Sequence, residues 1–177
     1  KAAWFNHQYL ISQPDEAWVP SFDKLLQNQG ITTTPDRMTE VVRMMKLKVI
    51  EYTDNEGNKK KRNISFVSDL WPLVRFFFVA PDAIDKEDKF VRKNWKEHTA
   101  DEMRQLMDVL SGVDDFSVEG QKAVVDEWAY ASGIKPWNAW RICLEGAGQG
   151  PDMYELSAFL GKTETLGRMQ HAIDILG

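Results

Sequence analysis

The chain has a single cysteine among its 177 residues. No internal disulfide is therefore available to staple the fold, and a reducing, cytoplasmic setting is expected. Cys143 falls on an apolar helical face, which favours packing over nucleophilic chemistry. No apolar run approaches the roughly 20 residues of a membrane-spanning helix, and no signal-peptide pattern opens the chain, so no membrane partner is expected. The first residue is Lys1 rather than Met, and a piece of a longer polypeptide is expected. Histidine is scarce too. His7, His98 and His171 have no metal-ligand spacing with Cys, Asp or another His, so no metal site is expected. No serine sits in a nucleophile-elbow context. The neighbouring acids Asp114 and Asp115 do not face one another on a helix and read as a turn before Phe116. Without a catalytic constellation, the chain is expected to bind or support rather than catalyse. Repeats and low-complexity tracts are also missing.

Glycine is concentrated in one place. Gly146, Gly148 and Gly150 stand at alternate positions in the stretch LEGAGQGPDM. Glycine-rich turns that open helices often cradle phosphates, but this one lacks the chemistry. The dinucleotide fingerprint needs a preceding strand and two residues between its last two glycines; here a helical WNAWRICLE precedes a GxGxG. A phosphate loop would continue Gly-Lys-Ser/Thr, whereas Gly150-Pro151-Asp152 follows. Pro151 suits the first position of a helix, and Asp152 in its first turn would repel a phosphate. The local reading is a flexible helix–loop–helix connection.

What remains is helical almost throughout. The composition is 43% hydrophobic with seven Trp and nine Phe, enough for one or two cored domains, and the net charge is −5. Thr34-Pro35-Asp36 is a helix start, followed by the stripe Met38, Val41, Val42, Met45 and Val49. Thr99 with Glu102 reads as a capping box ahead of Met103, Leu106, Met107 and Leu110. Ser117 is placed as the cap of a helix carrying Val124, Val125 and Trp128 and ending near Gly133. Residues 136–145 and 151–160 form two more helices, the second stopped by Gly161. Thr163 is placed as the cap of the last, with Leu166, Met169, Ile173 and Leu176 facing inward. The exception is 49–67, where β-branched and aromatic runs flank Asp54-Asn55-Glu56-Gly57-Asn58. That is a β-hairpin signal, with a mobile loop as the alternative. Two concentrations of positive charge stand out against the acidic total. One is Lys59-Lys60-Lys61-Arg62; the other is Lys86, Lys89, Arg92, Lys93 and Lys96. Both are ordinary solvated surface by default.

Several motifs resemble the C-terminal region of bacterial glutamyl-tRNA synthetases, which are class I aminoacyl-tRNA synthetases. Lys1, Trp4, Asn6 and Tyr9 look like a K-x-x-W-x-N-x-x-Y segment just after the catalytic part. Ser68-Asp69-Leu70-Trp71 through Phe76-Phe77-Phe78 is similar to the aromatic helix of the next subdomain. Trp140-Arg141-Ile142-x-Leu144-x-Gly146, then Gly150-Pro151 with Glu155-Leu156, then Leu160-Gly161-Lys162, resembles a P-L-R-x-x-L-T-G run followed by P-x-L-F-E and L-L-G-K. The resemblance covers the chain in order.

The resemblance implies an all-α fold, a helical bundle in two anticodon-binding subdomains at 1–90 and 91–177, relative to which the hairpin signal near 49–67 reads as a small insertion. It implies tRNA-Glu as partner, read at the anticodon loop by a monomer. Neither the HIGH nor the KMSKS motif of the family's catalytic part occurs here, so the ATP and Mg of the parent ligase would not be bound by this chain. The family's anticodon-contacting arginine falls on Arg141, and its loop positions fall on Gly150, Pro151 and Met153. Splayed anticodon bases can be stacked and read on their edges, and a guanidinium offers a plane and a fork of donors for that purpose. An apolar Pro–Met surface would grip a base. Trp137, four residues before Arg141, shares its helical face and would orient it or stack a base. Arg75 is the nearest candidate for an arginine that discriminates the first anticodon base. The sequence departs from the family pattern at Trp140, where leucine is usual, at Glu145, where threonine is frequent, and at Gly150, where a side chain is usual. An acid at 145 has the wrong charge for an RNA partner. The residues alone leave a second reading open, a helical protein-interaction module favoured by the acidic total and the abundant Trp and Met.

Overall fold

A computed structural model describes residues 2–177. Lys1, the first residue of the K-x-x-W segment, lies outside the described residues. The chain forms two compact units that divide between Phe78 and Val79.

The first unit is built from α1 (Ala2–Ser12), α2 (Val19–Asn28), α3 (Pro35–Met45), a hairpin of β1 (Val49–Thr53) and β2 (Lys59–Asn63), and α4 (Trp71–Phe78), with short 3-10 turns at Asp15–Trp18 and Val67–Leu70. α3 starts where the sequence signals it: Thr34 accepts a hydrogen bond from the Arg37 N–H at 3.3 Å and Pro35 occupies the first turn. Met38, Val41, Val42 and Met45 are buried and meet Trp18, Phe22, Leu26, Leu70, Val74 and Phe77 in one core. Val49 does not continue that stripe. The helix stops at Met45, and Val49 opens β1, exposed, because the β-branched run favours an extended chain over another helical turn.

The β1–β2 pair is antiparallel with Tyr52 opposite Lys60. Its turn is fixed by Asp54, whose carboxylate accepts from the N–H groups of Glu56 and Asn58 at 2.9 and 2.8 Å, and by Gly57 at φ +85°. The base of the hairpin is fixed by Asp69, which accepts from the N–H groups of Ser65 and Phe66, both at 3.0 Å, and from Arg62 at 3.2 Å. The adjoining chain is tied to α1 twice. Buried His7 donates through Nδ1 to the Ile64 carbonyl at 2.8 Å, and Ser65 donates to the Ala3 carbonyl at 3.1 Å.

The second unit contains α5 (Lys89–Asn94), α6 (Thr99–Ser111), α7 (Val118–Ser132), α8 (Trp137–Glu145), α9 (Met153–Leu160) and α10 (Lys162–Leu176). Residues 79–90, expected with the first unit, pack here. Pro81 and Ile84 lie against Gly146, and the Asp82 carbonyl accepts from His171 at 3.1 Å. Ser117 caps α7, and Gly133 ends it in the left-handed region at φ +73°. Along α7, Val125 is buried but Val124 is exposed.

Three expected starts move by one or two residues. Thr99 does not form a capping box with Glu102. Its hydroxyl accepts instead from the Lys96 N–H at 2.8 Å, and α6 is preceded by His98. Asp152, rather than Pro151, begins α9. It is the N-cap, accepting from the Tyr154 and Glu155 N–H groups at 3.0 and 3.1 Å, a better use of a carboxylate than the helix interior. α10 starts at Lys162 with Gly161 before it, so Thr163 is already helical. Met169 and Ile173 are buried as expected, whereas Leu166 and Leu176 are only half-buried.

Burial alone would raise the Asp69 carboxyl, but the bonds from Arg62, Ser65 and Phe66 override it and hold it below the ordinary carboxylate range. A depressed folded-state value contributes stability above the unfolded value that disappears as pH falls through the folded one. Asp69→Ala is therefore expected to lower stability in denaturant unfolding by about 2 kcal/mol at neutral pH. The difference from wild type should shrink as the solution is acidified below the carboxylate range.

Candidate nucleic-acid interface

The glycine loop, residues 146–150, links α8 to α9, and each of its glycines has another group laid on its backbone. Gly146 closes α8 at φ +73°, its N–H donating to the Ile142 carbonyl at 2.8 Å. A Cβ there would meet Pro81 at 3.1 Å, and one on Gly148 would lie 2.8 Å from the Phe90 ring. A Cβ on Gly150 would lie 2.6 Å from the carboxyl carbon of Glu145. The alternate glycines are thus required by close packing of a proline, an aromatic ring and a carboxylate. The connection expected to be flexible is packed at its three glycines, while Ala147 and Gln149 between them are exposed. It leaves no cradle for a phosphate, because Glu145 and Asp152 stand at its two ends.

Glu145 is the centre of this packing. It lies four residues after Arg141 on α8, the spacing that brings two side chains together on one face, and its side chain is fully buried. The Arg141 guanidinium donates Nη1–H to Glu145 Oε1 at 2.8 Å and Nη2–H to the Pro151 carbonyl at 2.8 Å. Two bonds leave three of the five guanidinium N–H donors uncommitted, and the side chain retains 17% of its exposure. A second arginine stands behind the pair. Arg168 on α10 is buried, donating Nη1–H to the Leu144 carbonyl at 2.7 Å and Nε–H to Glu164 at 2.9 Å. Burial lowers the Arg168 guanidinium from its ordinary value, while the charges of Glu164 and Glu145 pull it back up. A cation at the last carbonyls of α8 also suits the helix dipole. The acid that looked unfavourable for an RNA partner is therefore withdrawn from solvent and paired with Arg141, with the Arg168 charge nearby.

An aromatic cluster flanks the arginine. Trp137 is half-buried, its ring 5.5 Å from Tyr154 edge-on and 6.5 Å from the fully buried Trp140. Tyr154 donates its hydroxyl to Asp126 at 2.6 Å. Burial first, then this bond and the neighbouring carboxylate charge, push the Tyr154 phenol upward, so it remains a donor. Burial likewise raises the Cys143 thiol far above the range in which it would ionise, which removes it as a nucleophile.

Of the residues expected at the site, Arg141, Trp137, Gly150, Pro151 and Met153 gather around this loop. Arg75 belongs to the first unit, exposed on α4. The expected apolar Pro–Met surface does not form. Met153 is 4% exposed and Pro151 is buried; what Pro151 offers is its carbonyl, spent on Arg141. Sequence reasoning missed Glu145 as the partner of Arg141. The signal was the pair of departures at 145 and 150, which the structure shows to be one adaptation, a carboxylate occupying the space of an absent side chain. Among the described residues no group of three or more His, Cys, Asp and Glu converges as a metal site would require. No helix among them is long and apolar enough to cross a membrane.

A mainly helical chain in two units thus carries a partly exposed arginine and a half-buried tryptophan beside a packed loop, a guanidinium plane and an aromatic face of the kind that unpaired bases stack on. The chain belongs to the anticodon binding domain family, whose model matches residues 59–173. It is similar to the glutamate–tRNA ligase of Bacteroides thetaiotaomicron, at 39% identity over 99% of this chain and 32% of the relative. The ligase of Flavobacterium johnsoniae is 35% identical with the same coverage. Among solved structures, a glutamate tRNA ligase from Elizabethkingia meningosepticum, crystallised with its amino acid, superposes with a TM-score of 0.83 at 30% identity, covering 99% of this chain and 32% of that one. The chain thus spans about a third of the length of the curated relatives it matches.

Gly150→Ala forces Glu145 off its position and loosens Arg141; a loss of about 1–3 kcal/mol is expected in thermal or denaturant unfolding. The same substitution made in a Glu145→Thr background should cost at least ~1 kcal/mol less, the signature of two positions sharing one space in a double-mutant cycle.

Proposed function

We propose that this chain is the anticodon-reading part of a glutamate–tRNA ligase, contributing tRNA affinity and anticodon identity while the bond-making chemistry resides elsewhere in the parent. The family match over 59–173 carries this reading, and the geometry at Arg141 says how reading would occur. Glu145 and the Pro151 carbonyl hold the guanidinium in one orientation, so its remaining donors are aimed before any base arrives. An unpaired base could lie against the guanidinium plane or the half-exposed Trp137 ring and present its edge to those donors. Gly150 and Pro151 act through their backbone, and Met153 supports the loop from the core. Arg75 is the candidate contact of the first unit. The partner is tRNA-Glu, bound by a cytoplasmic monomer.

A glutamate–tRNA ligase would use ATP and Mg; the glycine loop of this chain, closed by carboxylates and packed side chains, is no cradle for the phosphates of the nucleotide. Both would belong to the catalytic part of the parent.

Binding of tRNA-Glu transcripts carrying altered anticodons tests the reading. Wild type is expected to discriminate against a changed base, and Arg141→Ala to lose about 1–3 kcal/mol of that discrimination, roughly 10- to 100-fold. If wild type and variant bind every anticodon equally, base reading at Arg141 is wrong.

A further inference from the structure

The basic hairpin of the first unit has no part in the site described above. Cross-strand partners share a face, so the register places Val49, Glu51, Thr53, Lys59, Lys61 and Asn63 on one side and Ile50, Tyr52, Lys60 and Arg62 on the other. Of these ten residues only Ile50 is even half-buried. A two-stranded ribbon that buries almost nothing is not held by a core. The Asp54 turn at its tip and the Arg62–Asp69 pair at its base hold it instead. The result is a projecting arm whose second strand presents successive cations to solvent.

These cations are available. Lys59 makes no ion pair among the described residues. Lys60 lies 3.5 Å from Asp54 and Lys61 3.2 Å from Glu51, with the lysine side chains 55% and 67% exposed. Surface pairs of this kind contribute about 0–1 kcal/mol, so a phosphate with its greater charge can replace the carboxylate. The strands enclose a concavity of about 220 Å³ lined by Glu51, Tyr52, Thr53, Lys59, Lys60 and Lys61. Tyr52, opposite Lys60, is 43% exposed, and an aromatic ring set among lysines suits a polynucleotide strand better than an acidic peptide. The anticodon-binding match begins at Lys59, so the basic strand lies inside the matched region.

We propose that the hairpin is an accessory grip on the sugar–phosphate backbone of the same tRNA: Lys59 and Lys61 from one face of the ribbon and Lys60 from the other neutralise phosphates along its edge, and Tyr52 packs on the strand beside Lys60. Glu51 is the internal counter-ion that Lys61 exchanges for phosphate. The inference rests on the anticodon-reading function and adds an attachment that raises affinity without reading sequence.

The test measures tRNA-Glu binding by the full chain across a salt series, with anticodon variants alongside. A Lys59→Gln, Lys60→Gln, Lys61→Gln variant is expected to lower the slope of log affinity against log salt by about 2, roughly 0.7 for each of the three single-strand phosphates no longer neutralised. It should leave the relative preference among anticodons unchanged. The matching triple Lys→Arg variant should keep the wild-type slope, which separates charge loss from damage to the ribbon. Glu51→Gln should bind severalfold more tightly. A native slope in the triple Gln variant, with anticodon preference intact, overturns the grip and leaves the anticodon reading standing. A reduced slope in a protein indifferent to the anticodon does the reverse. No binding by wild type removes both.

Discussion

The packing around the glycine loop depends on one buried carboxylate, that of Glu145. A buried anion survives only where cations and donors surround it, and this requirement arranges everything nearby. Arg141 reaches forward along α8 to meet it, Arg168 brings a second positive charge from α10 to the adjoining Leu144 carbonyl, and position 150 must have no side chain. Arg141 is thereby a surface arginine with the rigidity of a core residue. An ordinary exposed arginine carries about 2 kcal/mol of rotamer entropy that binding would have to overcome; here much of that ordering is complete before a ligand arrives.

Both units have an apolar core, that of the second built on Met103, Leu106, Leu110, Trp140, Leu144 and Leu156. The second adds polar bonds between distant segments: Tyr154 to Asp126, Thr165 to the Ser157 carbonyl, Arg168 to the Leu144 carbonyl. Most of these converge on α8 and α9, the helices on either side of the loop. The first unit relies on an apolar core of Trp18, Phe22, Leu26 and the α3 stripe, with His7 and Ser65 pinning the chain next to the hairpin. Precision is concentrated where a base edge would be read. The hairpin is anchored at tip and base and otherwise rides in solvent, which is adequate for phosphates, whose recognition tolerates displacement.

How much of this was legible in the sequence depended on the range of the interaction concerned. The helical class, the α3 stripe, the Ser117 and Thr34 caps and the Gly133 and Gly161 stops all follow from neighbours within one or two turns. The hairpin was visible for the same reason, since Asp54, Gly57 and the flanking β-branched residues lie within a few positions. Thr99 misled because its hydroxyl had a competing local donor, the Lys96 N–H, which the spacing to Glu102 could not reveal. At the site, Arg141 was legible through resemblance and Trp137 through helical spacing. The burial of Met153 was not, because it is decided by which face of α9 meets the rest of the unit. Nor was the link between Glu145 and Gly150, which is a contact between a carboxylate and an absent methyl group, and motif patterns record residues rather than empty space.

The buried Cys143 has a practical consequence. Its thiol is sealed within α8 and stays protonated at ordinary pH, and the sequence contains no other. Maleimide and nitroxide reagents should pass the native protein by. A cysteine introduced at one chosen surface position would then be the sole point of attachment for a fluorophore or spin probe, so distances within the molecule become accessible to spectroscopy without first stripping the wild-type background.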